Sequence, residues 1–263
     1  MYFYGRINPV MKLLINQQKY GFCHAPVCAV RQTTSDTSEM VTQLVFGETF
    51  EVITQENHWI HIQNLSDGYE GFVDRRHLIG LSEKEVQRWH DQRNISLTFV
   101  SIIESSWGNL HLPAGSFVGS EEGFNIGQEQ FTFSEFRKNR QAANILQCMI
   151  NVPYLWGGKT SFGIDCSGLS QLYFKTLGIN LPRDAKDQQR LGTPIEFKEI
   201  QQDDLVFFQN VSGNITHVAI ALNATEVIHA SGRVRIDPLI DGNIWNEELQ
   251  EITHSFHSAC RML

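Results

Sequence analysis

At 263 residues with ample apolar content, the chain is long enough for two domains or one large one, and it needs no covalent staples to hold a core. A formal net charge of −8 and the absence of a Lys/Arg-rich run argue against a nucleic-acid backbone as main ligand and favour a small polar or cationic one. The five cysteines (Cys23, Cys28, Cys148, Cys166, Cys260) are scattered without a CxxC pair, so neither a disulfide framework nor a zinc knuckle is indicated and reduced thiols are expected.

The N-terminal stretch has no sustained apolar run of the kind a signal peptide needs, and no later run approaches a membrane span. A cytoplasmic protein is therefore expected, with Met11 as an alternative start. From 11 to about 82, alternating runs such as TQLVFGETFEVI, HWIHIQNL and YEGFVDRRHL are separated by turn signals and predict five or six short strands in a small barrel. SEKEVQRWHDQRN follows as a linker helix, with Ser82 as N-cap and Glu85 three residues on in a capping-box pattern. ISLTFVSIIES and HLPAGSFVGSEEGFNIGQEQFTF predict a second β-rich stretch.

From 137 the pattern changes to an opening helix, FRKNRQAANILQCMIN, and then a glycine-rich loop, PYLWGG. Beyond it Leu169, Leu172, Tyr173 and Leu177 recur at helical spacing and Gly178 stands where the helix would end, which places Cys166 at a helix start. A loop through LPRDAKDQQR and strands DDLVFFQN, THVAIALN and EVIHAS complete an α+β pattern. The expected division is 1–82, 83–136 and 137–263.

Free N–H groups and the dipole at a helix start favour a thiolate, so Cys166 reads as a nucleophile; the alternative is a buried structural cysteine. His217 shares a strand face with Ala219 and Ala221, and His229 lies on the next strand. A hairpin centred on Asn223 would set 217 directly opposite 229, supplying a base and the group that orients it. A zinc site of Cys166, His217 and His229 is the rival reading, and a surface or core role is open to either histidine alone.

PYLWGG, IDCSGL, GINLPRD, DDLVFF, THVAI and VIHASG, in this order over about 140 to 263, resemble the NlpC/P60 family of papain-like cysteine peptidases. DGYEGFV and VTQLVFGE are similar to the bacterial SH3 barrels that precede this domain in the cell-wall-peptide branch of the family. The resemblance implies an SH3-like barrel over 1–82, a linker helix and second SH3-like β domain over 83–136, and a papain-like catalytic domain over 137–263. It implies hydrolysis of the bond between γ-D-Glu and a diamino acid (diaminopimelate or Lys) in murein stem peptides with a free N-terminal L-Ala, by a Cys166–His217–His229 triad, in cell-wall peptide recycling.

By the same resemblance Tyr154 joins the Cys166 N–H as an oxyanion donor, Gly157 and Gly158 let the loop pass close to the site, and Trp156 packs. Asp165 and Tyr69 would hold the substrate ammonium, Ser167 and Asp184 would line the site, and Arg183 reads as a structural ion-pair partner. Glu39 could replace a glutamate that relatives carry where this chain has Val41. No cofactor, metal, nucleic acid or membrane partner is implied, and a monomer is expected. An acyltransferase or amidase on the same fold, and a non-catalytic wall-peptide binder, are the alternatives.

Overall fold

A computed structural model describes residues 18–120, 122–135 and 142–262. The alternative start at Met11 and the first residues of the expected opening helix, 136–141, lie outside the described residues; the helix is seen from Ala142 to Met149. No helix among the described residues is long and apolar enough to cross a membrane.

The N-terminal segment forms one antiparallel sheet of seven strands, in the order 40–45, 27–31, 70–74, 59–64, 49–56, 20–23, 78–81. Period-two patterning turns Leu44, Phe50, Ile60, Ile62 and Val73 onto one buried face with Cys23 and Cys28. The helix Glu83–Gln92 carries the expected capping box: the Ser82 N–H donates to Glu85 Oε2 at 2.8 Å, and Ser82 Oγ accepts from the Glu85 N–H.

This helix is more than a linker. Val86 and Trp89 are buried, and Trp89 Nε1 donates to the Gly47 carbonyl at 2.8 Å. Trp89 joins Phe22 of the first sheet, Phe46 of the turn after strand 40–45, and Ile103, Phe117 and Phe131 of the second β segment in one core. That segment holds a four-stranded sheet, ordered 108–113, 100–105, 129–135, 124–126, and a two-stranded pair, 94–95 with 117–118. The shared aromatic core locks the two β segments together.

The C-terminal segment sets helices Ala142–Met149, Cys166–Thr176 and Ala185–Leu191 beside a seven-stranded sheet ordered 193–195, 251–261, 205–209, 215–221, 226–231, 233–240, 243–246. Strand 243–246 also pairs with 251–261, so six of the strands close on themselves. One core lies between helices and sheet, with Leu169, Leu172 and Phe174 against Phe207, Val218 and Ile228. A second, with Val206, Phe208, Val227 and Ile244, lies on the other side of the strands. The stretch read as a loop through LPRDAKDQQR contains the helix Ala185–Leu191; only Gln188 of it is buried, so no apolar period announced it.

Buried charge joins the first and last segments. Glu48 meets Lys159 Nζ at 3.2 Å and Lys175 Nζ at 3.3 Å, and Lys159 also approaches Asp67 at 3.6 Å. Burial alone would raise the Glu48 pKa, but Lys159, Lys175 and the Val45 N–H hold it down to about 2. Removing the carboxylate leaves buried Lys175 with the Gly115 carbonyl at 2.8 Å and Lys159 with Asp67 at 3.6 Å, a broken buried ion pair that costs about 3–5 kcal/mol. Glu48→Ala is therefore expected to lower unfolding free energy by about that amount at pH 7. Because the folded pKa is depressed from 4.5, the stabilisation is complete above about pH 4.5 and is lost as pH falls toward 2. Urea unfolding at pH 7 and pH 3 should show the gap between variant and wild type narrowing in acid; an unchanged midpoint at pH 7 would refute this role.

Candidate active site

The glycine loop is held by short-range backbone bonds. The Leu155 N–H donates to Ile164 O at 3.1 Å, Gly158 N–H to Leu155 O at 2.8 Å, and Asp165 N–H to Gly158 O at 3.2 Å. Gly157 has φ +77°, and a Cβ there would stand 2.4 Å from the Met40 carbonyl oxygen, so the loop's close approach is to the first sheet. Gly158 is crowded by the Gly163 carbonyl at 2.5 Å from any added Cβ.

The loop delivers the chain to Asp165, the N-cap of helix Cys166–Thr176, whose Oδ1 accepts the Gly168 N–H at 2.7 Å. Its carboxylate also accepts from the Gly157 N–H at 2.9 Å, the Ser167 hydroxyl at 3.3 Å and both terminal nitrogens of buried Arg183. Asp165 is thus the helix cap and the ion-pair partner of Arg183, with donors on both of its oxygens. Ser167 is drawn into the same group, since Arg183 Nη1 donates to its Oγ at 2.7 Å. Arg183 takes the structural part expected of it and reaches Thr42 of the first sheet with Nε at 2.8 Å.

Cys166 occupies the first helical position and is partly exposed. Burial of its thiol, then the Asp165 charge, pushes its pKa up to about 11, against the opposing pull of the Val218 N–H, Arg183 and the Ser167 N–H. The helix start therefore does not by itself yield a resting thiolate, contrary to the expectation from position alone. The Val218 N–H facing the sulfur places the thiol against strand 215–221, which carries His217.

His217 and His229 meet, with Nε2 and Nδ1 2.9 Å apart. They are not directly opposite. Ile220 pairs with Ile228 and Ala221 with Val227, so the register sets 217 opposite 231 and the loop is centred on Ala224. The Asn223 side chain accepts the Thr225 N–H at 2.8 Å, an Asx turn that shifts the hairpin by one residue. The imidazoles then touch diagonally across one face. Burial, followed by the neighbouring His229 and His254, holds the His217 pKa well below its usual value, so the ring is neutral.

Two neighbours were not read from the sequence. Asp237 Oδ2 lies 2.9 Å from His229 Nε2, and Arg235 Nη2 donates to Asp237 Oδ1 at 2.9 Å. His254 stacks beside His217 with ring centroids 4.1 Å apart, its pKa lowered to about 4 chiefly by burial. Both sit on strands the sequence pattern did not mark, Arg233–Ile240 and Glu251–Arg261. Among the described residues, one nitrogen from each of His217, His229 and His254 lies within 4.8 Å of the others, so this trio, and not the set with Cys166, is grouped closely enough to hold a metal ion.

Tyr154 is half-buried on the same core; burial, then Cys166 and Asp165, raises its pKa to about 12, so its hydroxyl keeps its proton. From the first sheet, the Tyr69 hydroxyl donates to Asp184 Oδ1 at 3.4 Å, and the Asp184 side chain is 39 % exposed. Trp156 is 60 % exposed and does not pack as expected; its Nε1 donates to Glu39 Oε1 at 2.7 Å. Val30 pairs with Thr42 and Arg31 with Met40, leaving Val41 as the extra residue of a bulge. Val41 packs on the barrel core while Glu39 is exposed ahead of the strand, so the two do not share a strand face.

Residues 151–254 match the NlpC/P60 family and residues 30–78 match the bacterial dipeptidyl-peptidase Sh3 domain. The chain is 26 % identical over 222 residues to the γ-D-glutamyl-L-lysine dipeptidyl-peptidase of Bacillus subtilis (strain 168), covering 72 % of this chain and 71 % of that protein. It is 27 % identical over 231 residues to dipeptidyl-peptidase 6 of Lysinibacillus sphaericus, covering 74 % and 81 %. A crystal structure of an NlpC/P60 family protein from Bacillus cereus ATCC 10987 superposes with a TM-score of 0.74 at 17 % identity, covering 92 % of this chain and 99 % of that one, and shows the shared fold. The chain carries an SH3-like β region ahead of an NlpC/P60 domain and is a peptidase.

A neutral thiol at about 11 and a histidine held below 6.5 define the resting pair, with His229, His254, Asp165, Arg183 and Tyr154 around it. A lowered histidine pKa keeps the free base down to lower pH. Iodoacetamide labelling of Cys166, followed by peptide mass spectrometry to separate it from exposed Cys148, should therefore hold its rate to well below pH 6.5 and climb toward pH 11. An acid limb centred at or above pH 6.5 would contradict the neutral pair.

Proposed function

We propose that this NlpC/P60 peptidase hydrolyses the bond between γ-D-Glu and a diamino acid in murein stem peptides that carry a free N-terminal L-Ala, in cell-wall peptide recycling. The observation that carries the reading is Cys166, half-buried at a helix start, against the strand of a His217 whose Nε2 is tied to His229 at 2.9 Å. The name of the Bacillus subtilis relative supports a γ-D-glutamyl bond as the target.

In the first step His217 takes the thiol proton as Sγ attacks the scissile carbonyl carbon. The Cys166 N–H and the Tyr154 O–H stabilise the tetrahedral oxyanion, each donor contributing roughly 3 kcal/mol. The C–N bond breaks, His217 gives the proton to the leaving α-amine of the diamino acid, and a thioester remains. Water, deprotonated by His217, attacks the thioester and releases L-Ala-D-Glu and the thiol. Proton transfer coupled to attack suits a thiol whose pKa lies far above that of its base.

Asp184 and Tyr69 are the ammonium clamp in this reading. Asp184 is partly exposed, with Lys186 Nζ 3.8 Å from its Oδ2, and Tyr69 comes from the first sheet, so the subsite straddles two segments. Glu39, held by Trp156 at the same border, adds negative charge to the rim. An acylated amine would lose its charge-assisted bonds, which makes intact murein a poor substrate.

The test is mass-spectrometric turnover of L-Ala-γ-D-Glu-L-Lys, its diaminopimelate counterpart and their N-acetylated forms. Free-amine peptides should be cut and Cys166→Ala should abolish cleavage. Asp184→Asn should raise KM by about 10- to 100-fold with kcat little changed, the loss of one charge-assisted bond. Equal cleavage of acetylated peptide would remove the clamp; no cleavage of any peptide would overturn the substrate.

A further inference from the structure

We propose that Asp237 is a positioning residue that fixes the direction of the His217–His229 hydrogen bond and so leaves the base nitrogen of His217 free for Cys166. The proposal deepens the reading above and rests on it for the identity of the base. Both nitrogens of His229 are engaged: Nδ1 lies 2.9 Å from His217 Nε2, and Nε2 lies 2.9 Å from Asp237 Oδ2. His229 is 1 % exposed and Asp237 2 % exposed, so water does not compete for either bond.

An ionised carboxylate can only accept. His229 Nε2 must then carry a proton, and with a single proton on the ring its Nδ1 is bare. That atom can only accept from His217, which puts the His217 proton on Nε2 and leaves its Nδ1 with a lone pair. Without the carboxylate the opposite polarity satisfies both rings equally well. In that arrangement His229 Nδ1–H donates, His217 carries its proton on Nδ1, and the nitrogen that should accept the thiol proton is blocked.

The arrangement around Asp237 keeps it ionised. Arg235 Nη2 donates to Oδ1 at 2.9 Å, and Arg235 Nη1 is tied to Glu248 Oε2 at 2.9 Å. Burial raises the Asp237 pKa, but the bonds to His229 and Arg235 outweigh it and hold the carboxyl below the usual range. Arg235 stands directly opposite His229 in the strand register, and Asp237 opposite Val227. The aspartate reaches His229 by the same kind of diagonal that joins the two imidazoles. His254 is the remaining titratable ring packed against the group, and the Thr253 hydroxyl occupies its Nδ1 at 2.9 Å.

Long-range 15N–1H correlation of the imidazoles reads the polarity without any substrate. In the wild type both His217 and His229 should be protonated on Nε2. Asp237→Asn keeps the size but offers an amide N–H to His229 Nε2, and should move both protons to Nδ1. With it kcat should fall about 10²- to 10⁴-fold and KM change by less than about threefold, as when a triad carboxylate is replaced and the histidine takes the wrong tautomer. Labelling of Cys166 by iodoacetamide near pH 7 should slow in parallel.

A proton on Nδ1 of either histidine in the wild type would overturn the proposal, and so would a folded Asp237→Asn protein with unchanged tautomers and unchanged kcat. Should the variant fail to fold, the wild-type spectrum decides. If the peptides are not cut at all, the substrate reading fails, while the tautomers and the labelling rate still test Asp237.

Discussion

The buried ion pair between Asp165 and Arg183 is the constraint on which the rest of the site depends. One carboxylate caps the nucleophile's helix, anchors the glycine loop through the Gly157 N–H and binds the guanidinium. That guanidinium in turn holds Ser167 and reaches Thr42 of the first sheet. Two buried charges in a dry environment are stabilising only when nearly every donor and acceptor is satisfied, and here the surrounding loop supplies the missing partners. The helix start, the loop and the segment border are consequently positioned by the same few atoms.

The β segments act on the C-terminal domain through a border that is polar and buried. Glu48 holds two lysines of that domain, Asp67 accepts from Gln171 Nε2 at 3.0 Å, and Gln43 accepts the Lys159 N–H at 2.9 Å. Such contacts are directional, unlike apolar packing, and they specify one orientation of Tyr69 toward Asp184. A subsite made from both sides of a border needs that orientation held. The aromatic core around Trp89 stiffens the β side.

Burial sets the chemistry of the resting pair in the opposite sense to the helix dipole. It raises the thiol and lowers His217, so proton and lone pair are both in place before substrate arrives. The negative Asp165 beside the sulfur adds to the rise, while Arg183 offsets part of it. A neutral pair makes the tautomer of His217 decisive, because only one of its nitrogens can accept. Asp237 is placed to determine which.

Much of this was legible in the sequence because its causes are local. The capping box at Ser82–Glu85, the helix from Cys166 with Leu169, Leu172 and Tyr173 at helical spacing, and its stop at Gly178 with φ +81° follow from short-range patterns of side chain and backbone. The pairing of Cys166 with two histidines rested on residue type and order. The hairpin register did not follow, since the Asn223 side chain moved the turn by one residue, and neither did the Val41 bulge that separates it from Glu39. The helix 185–191 and the strands carrying Asp237 and His254 have weak periodicity, so only packing reveals them. The sequence by itself determined which residues carry chemistry and which local elements present them. The tertiary structure decided which partners Asp165 and Asp184 each take, how burial shifts the thiol and the imidazole, and which acid stands behind His229. Desolvation and long-range hydrogen bonds depend on neighbours far apart in the chain, and local pattern does not encode them.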